Sequence, residues 1–183
     1  MEDGLASVVA MGTDGERIEV GHIGREGMTG QSVVLGVDRS PEQTFIQVAG
    51  SALRMPVGSL RDAMKASPLL HGLLLRFVQT TIVQVAHSAL ANGRYTIQER
   101  LARWLLMCHD RLDGDYLLLT HEFLSLMLGV RRSGVTEALQ VLEGVAVVKT
   151  ARGRIMLLDR DRLEEIAGAC YGVPEREYQR LIG

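Results

Sequence analysis

The stretch from Thr120 to Leu142 constrains this chain more than any other. Thr120 is a good helix N-cap, and Glu122 in the first turn complements the positive end of the helix dipole. Leu124, Met127 and Leu128 recur on one side, as a short buried helix requires. Gly129 then falls where one helix must stop and the chain must turn sharply, with Val130 plugging the corner. A second apolar period, Val135, Ala138, Leu139 and Leu142, predicts another helix behind it. Two short helices joined by a tight glycine turn form a helix-turn-helix unit. The outer side of the second helix carries Arg131, Arg132 and Ser133 at its start, then Thr136, Glu137 and Gln140. Immediately downstream, Val145–Thr150, the turn Ala151-Arg152-Gly153 and Arg154–Leu158 predict a β-hairpin with a basic tip.

Charge is sorted along the chain in a way that the total of −2 hides. Residues 129–158 are net +3, residues 1–66 net −3, residues 67–128 neutral and residues 159–183 net −2. A polyanion partner would therefore meet the protein at the segment just described. In a helix-turn-helix unit the start of the second helix enters the DNA major groove. Arginine is the side chain best shaped to grip guanine O6 and N7 or a phosphate. The hairpin would lie along the sugar–phosphate backbone, adding affinity without sequence discrimination. A basic turn alone equally describes a solvated surface; its position directly after the paired helices makes Arg131, Arg132, Ser133, Thr136, Glu137, Gln140, Arg152 and Arg154 candidate DNA contacts.

The preceding residues organise into two parts. Residues 1–66 read as strands and turns closing on a short helix: Ala6–Met11, a Thr13-Asp14-Gly15 turn, the alternating run Arg17–Ile23, one helical turn at Gln31–Leu35, strands Thr44–Val48 and Ala52–Met55, and a helix at Val57–Lys65. Such strands suggest a small, partial antiparallel roll, one of whose edges is left for a partner or for further chain to cover. Residues 67–93 read as one long helix, with Ser67 as N-cap, Pro68 at the first helical position and Asn92-Gly93 as the stop. His71, Arg76, Gln79, Gln84 and His87 interrupt its apolar character, which argues against a membrane span. Its two apolar sides exceed what a small roll can cover. A homodimer seam through Leu70, Leu73, Phe77, Thr81, Gln84, Val85 and Ser88 is the expectation; burial within one chain is the alternative. Residues 94–183 then hold a helix from about Thr96 to Leu112, a short strand at Tyr116–Leu119, the segment already described, a helix at Asp161–Ala169, and a tail that either packs on the winged helix or hangs free.

At this point the chain resembles the cyclic-AMP receptor protein and fumarate–nitrate regulator (Crp/Fnr) superfamily of bacterial transcription regulators, most specifically over Thr120–Leu142 and the Arg152-Gly153-Arg154 turn. The resemblance implies an α+β chain: a partial antiparallel, cyclic-nucleotide-binding-like β-roll sensor at 1–66, a dimerisation helix at 67–93 and a winged helix-turn-helix domain at 94–183. It implies that roughly a quarter of the usual roll lies upstream of Met1. It adds Thr120 as a phosphate contact and places Arg132, Ser133 and Glu137 at the main base-reading positions. The family's best-studied members carry an acidic residue where Ser133 stands and an arginine where Glu137 stands, so their operator half-site does not transfer. Members that bind cyclic nucleotides carry Gly-Glu and Arg-Ser or Arg-Thr in a phosphate cassette; the matching positions here are Gly30-Gln31 and Gln43-Thr44. Losing charge-assisted contacts to a buried phosphate costs about 1.5–3 kcal/mol each, so the effector is expected to be something other than a cyclic nucleotide.

The expected function is a cytoplasmic, homodimeric, DNA-binding transcription regulator acting on a roughly palindromic operator in double-stranded DNA, with RNA polymerase a further candidate partner. The competing class is a ligand-sensing or protein-interaction module whose winged helix contacts protein; steep salt dependence separates the two. Two cysteines far apart, Cys108 and Cys170, suit buried thiols better than a disulfide framework, a zinc finger or an iron–sulfur cluster. The five histidines share no ligand spacing, no catalytic constellation is apparent, and neither an enzyme activity nor a metal or cofactor is expected.

Overall fold

The computed structural model describes residues Met1–Gly183. Strands β1 (Leu5–Met11), β2 (Arg17–Ile23) and β3 (Gln43–Val48) form an antiparallel sheet in the order β2-β1-β3, with helix α1 (Gln31–Val34) in the β2–β3 connection. Helices α2 (Val57–Ala66) and α3 (Pro68–Arg94) follow, with Ser67 Oγ accepting from Leu70 N at 3.2 Å as the expected cap of α3. Helix α4 (Ile97–His109) begins on a capping box: Thr96 Oγ1 accepts from Glu99 N, and Glu99 Oε2 accepts from Thr96 N at 2.7 Å. Strand β4 (Tyr116–Leu117), helices α5 (His121–Leu128) and α6 (Arg132–Gly144), and strands β5 (Val148–Ala151) and β6 (Arg154–Leu157) build the winged helix, whose sheet runs β4-β6-β5. Helix α7 (Arg160–Ala167), a 3₁₀ turn at Gly168–Cys170 and helix α8 (Val173–Leu181) complete the chain.

The main core lies in the C-terminal half. Leu101, Leu105, Leu106, Leu124, Val135, Leu139, Leu142, Ile155 and Leu163 are fully or almost fully buried together. Leu5 of β1 belongs to the same cluster, with Phe45 and Val48 of β3 packed on it, so the roll and the winged helix share one apolar interior. Strand β2 is the hub of the polar contacts that tie the roll to α3 and α4. Trp104 Nε1 donates to Glu19 Oε1 at 2.6 Å, Gln84 Oε1 accepts from His22 N at 2.9 Å, and Ser88 Oγ donates to Val20 O at 3.1 Å. Burial lowers the pKa of Arg103, whose Nη2 donates to Ser88 Oγ at 3.3 Å.

Five expectations need correction. Ala52–Met55 is exposed and irregular instead of a strand, because no neighbouring strand offers it a ladder. Asn92 and Gly93 lie inside α3, which ends at Arg94 with Tyr95 as its extended C-cap, just before the next capping box; Gly93 does not adopt the left-handed conformation of a C-cap. Val145–Val147 turns before the wing, with Ala146 at φ 57°, so β5 starts only at Val148. The tail packs on the winged helix only at its start, where Tyr171 lies against the core and donates to Asp110 Oδ2 at 2.7 Å; α8 instead packs on α3, with Arg76 Nε donating to Leu181 O at 3.0 Å, and reaches the roll, with Tyr178 Oη donating to Glu26 O at 2.9 Å. Of the expected seam residues, Gln84 and Ser88 are turned into their own chain, where β2 occupies their polar atoms.

By length and composition α3 could cross a bilayer. Val78, Thr80, Gln84, Ser88 and Ala91 are buried against the chain's own structure. Leu69, Leu73, Leu75, Ile82, Val85 and Leu90 are exposed, spread around the helix. Leu70, Phe77 and Thr81 are half-buried.

Candidate nucleic-acid interface

Helices α5 and α6 meet at Gly129, which adopts φ 61° and lets Val130 N close back on Ser125 O at 3.0 Å. A side chain there would be strained by the backbone alone. It would also press on Ile18 of β2, whose Cδ1 lies 2.9 Å from where a Cβ would sit. Thr120 caps α5 by accepting from Phe123 N at 3.2 Å, leaving the first backbone N–H groups of that helix at the surface.

Arg131 is the N-cap residue of α6, and Arg132 and Ser133 open its first turn; all three are exposed. Glu137 and Gln140 follow on the same exposed side. Val135, Ala138, Leu139 and Leu142 are buried beneath them, so the apolar period fixes the orientation of the polar one. Arg132 Nη1 lies 3.6 Å from Glu122 Oε1, with both side chains mostly solvated, a contact too weak to withhold the guanidinium from a stronger anion.

The wing stands beside this surface. Leu119 N donates to Gly153 O at 3.0 Å, joining its tip to the segment before α5. Glu143 of α6 accepts from Thr150 N at 2.6 Å and from Thr150 Oγ1 at 2.7 Å, fixing the hairpin to the second helix. Gly153 sits at φ 68° in the turn, flanked by exposed Arg152 and Arg154. The start of α5, the start of α6 and the wing tip thus enclose a groove of about 420 Å³. Thr120, Arg132, Arg152 and Arg154 line it; Arg131, Ser133, Glu137 and Gln140 lie outside it along α6.

Two residues behave differently from expectation. Thr136 donates to Arg132 O at 3.1 Å and sits 3.0 Å from His121 Nδ1, so its hydroxyl is engaged within the chain. His121, absent from the candidate contacts, lines the groove. Nothing in the spacing of the sequence pairs it with Thr136; the contact exists only because α5 and α6 cross.

A second cavity, about 530 Å³, lies between the roll and α3. Val8, Val20, Leu35, Val78, Ile82 and Val85 supply its apolar wall, with Gly30, Gln31 and Thr44 of the expected ligand cassette beside them. Gln31 spends its amide on Met28 O at 2.8 Å. Gln43 is not part of the lining, whereas Arg39 and Glu42 of the α1–β3 connection are.

Residues 99–166 match the model of the Crp-like helix-turn-helix domain. Comparison with curated proteins finds no match. Three solved structures share the architecture. A CRP-family transcriptional regulator from Thermus thermophilus aligns at 21% identity and TM-score 0.67 over 91% of this chain and 85% of its own. FixK2 from Bradyrhizobium japonicum aligns at 20% identity and TM-score 0.66 over the same shares. A protein assigned to the Crp/Fnr family from Eubacterium rectale aligns at 20% identity and TM-score 0.67 over 91% of this chain and 78% of its own. The segment from α4 to α7 is therefore a Crp-like helix-turn-helix domain, borne on a chain that has the fold of the Crp/Fnr transcription regulators.

Proposed function

We propose that this chain is a cytoplasmic, homodimeric transcription regulator that reads a roughly palindromic operator, with no enzymatic activity of its own. The carrying observation is the exposed Arg131-Arg132-Ser133 at the start of a rigidly backed α6, beside a wing that offers Arg152 and Arg154 across one groove. Arg131, Arg132, Ser133, Glu137 and Gln140 face base edges in the major groove, while Thr120, Arg152 and Arg154 take phosphates. Thr136, with its hydroxyl occupied, holds Arg132 and His121 in place. The dimer forms through α3 around Leu70, Leu73, Phe77, Thr81 and Val85, of which Leu73 and Val85 are exposed in the single chain and the others half-buried, and it would set the spacing of the two recognition helices.

The effector is a small, largely apolar molecule other than a cyclic nucleotide, held between the roll and α3. Uncharged Gln31 and the absence of Gln43 from the lining support that reading, as does the apolar wall. RNA polymerase is the partner through which a bound dimer would act.

Binding to promoter fragments recovered by genome-wide capture tests the reading. Arg132→Ala should weaken specific binding by about 1–3 kcal/mol and relax one operator position. Arg152→Ala should weaken all sequences alike and flatten the salt dependence. Unchanged titrations for both variants would overturn the assignment of this face.

A further inference from the structure

We propose that His121 is a proton-accepting phosphate contact, so that this protein takes up a proton when it binds DNA. The inference rests on the DNA-binding reading above and adds to it a residue and a pH dependence. His121 occupies the first position of α5, lines the groove between α5, α6 and the wing, and is only partly exposed. Its Nδ1 lies 3.0 Å from Thr136 Oγ1, and the same hydroxyl oxygen lies 3.1 Å from Arg132 O.

A threonine hydroxyl has one proton to give. When Thr136 donates it to the Arg132 carbonyl, the contact with His121 is satisfied only if Nδ1 carries a hydrogen and donates. The neutral ring then has a bare Nε2, which makes no hydrogen bond within the chain. A bare nitrogen is an acceptor and repels a phosphate oxygen; a protonated one is a donor and grips it. The pinned ring needs no reorganisation to change from one to the other.

The charges around the ring set the direction. The charged groups around the groove are Glu122 on its own helix, Arg132 on α6, and Arg152 and Arg154 on the wing. A phosphodiester entering the groove neutralises those three guanidinium groups and adds a negative charge of its own. Proton affinity at His121 therefore rises on binding. By linkage, a group whose proton affinity is higher in the complex strengthens binding at the acid end. That gain is lost as the pH rises through the complex's titration.

The contact is with phosphate, so the operator need not be known. The probe is a mixed-sequence duplex of roughly 30 base pairs, followed by fluorescence anisotropy at constant ionic strength. Wild-type affinity should rise about fivefold or more from about pH 8 to about pH 6, within the limit of tenfold per pH unit set by one proton. His121→Asn keeps a donor for Thr136 but cannot titrate in this range. It should bind as wild type does at the alkaline end and lose the pH-dependent gain. His121→Arg should hold acid-end affinity throughout. If wild type and His121→Asn give superimposable pH profiles while both bind the duplex, the His121 proposal is overturned and the interface stands. If wild type fails to bind the duplex at any pH in low salt, the DNA-binding reading itself has failed.

Discussion

Replacing Trp104 by phenylalanine should expose how strongly the roll is fastened to the helix that leads into the DNA-binding domain. Trp104 is 3% exposed, and its indole N–H is directed at Glu19 Oε1, 2.6 Å away on β2. His22 Nε2 approaches the same oxygen at 2.7 Å, while the other carboxylate oxygen has no partner. Glu19 is itself 8% exposed, so bulk water does not freely replace a lost donor. A hydrogen bond to a buried charged group contributes about 1.5–3 kcal/mol. Removing the fused ring from a packed site adds about 1 kcal/mol through the space it vacates. Trp104→Phe should therefore cost about 2.5–4 kcal/mol, a large share of the roughly 5–15 kcal/mol typical of a folded protein. Urea unfolding followed by far-ultraviolet circular dichroism measures it, since the substitution removes the chain's one tryptophan. Glu19→Gln and the double variant complete a thermodynamic cycle in which direct partners couple by about 0.5–3 kcal/mol. A Trp104→Phe cost below about 1 kcal/mol, or additive single effects, would refute the argument that this bond joins the two parts.

Gly129→Ala should destabilise the protein by about 1–2 kcal/mol through its left-handed backbone alone, lowering the melting temperature by about 3–8 °C; an unchanged melt would mean the α5–α6 turn relaxes without cost. Leu73→Glu, at a site 38% exposed in the single chain, should leave folding intact and shift sedimentation from dimer to monomer. A wild type already monomeric at micromolar concentration would refute the seam. Burial raises the pKa of both thiols, Cys108 most strongly. Both should therefore resist a thiol reagent in the native protein and react together on unfolding, and rapid native labelling of Cys108 would contradict its packing.

The winged helix was legible because its signals are local. A cap at Thr120, a glycine at the corner and an apolar period behind Arg131 and Arg132 each act within a few residues, and together they fix which side of α6 faces outward. The orientation of α3 was not legible in the same way. Gln84 and Ser88 are polar residues on an otherwise apolar helix, a pattern that suits a subunit seam as well as burial. What decides between these is distant in sequence. Gly21 has no Cβ, and one placed there would lie 2.5 Å from Gln84 Oε1, so only glycine lets that amide reach the His22 backbone. Ala52–Met55 failed for the converse reason: its composition suits a strand, but a strand exists only where a ladder is offered. The α8 contact with Glu26 joins residues 152 apart, and no periodicity encodes such a pairing.

These distant contacts converge on β2, and their order along the strand determines how the roll can influence the DNA-binding surface. Ile18 and Val20 lie on either side of Glu19 at a β-bulge: Val8 pairs with Gly21 and Val9 with Glu19, so Val20 is left without a partner on β1. Val20 forms part of the wall of the cavity beside α3, and Ile18 presses on the Gly129 corner where α5 meets α6. Between them Glu19 holds Trp104 of α4. A molecule that displaces Val20 therefore acts one residue from the α4 anchor and two from the helix-turn-helix corner, at a bulge where the ladder to β1 is interrupted. At the bulge the strand can bend or hold its position. A ligand can bias that choice only by its difference in affinity for the two positions. A ligand in the cavity would thus act on DNA binding through Ile18 and Glu19, without touching the DNA-binding surface.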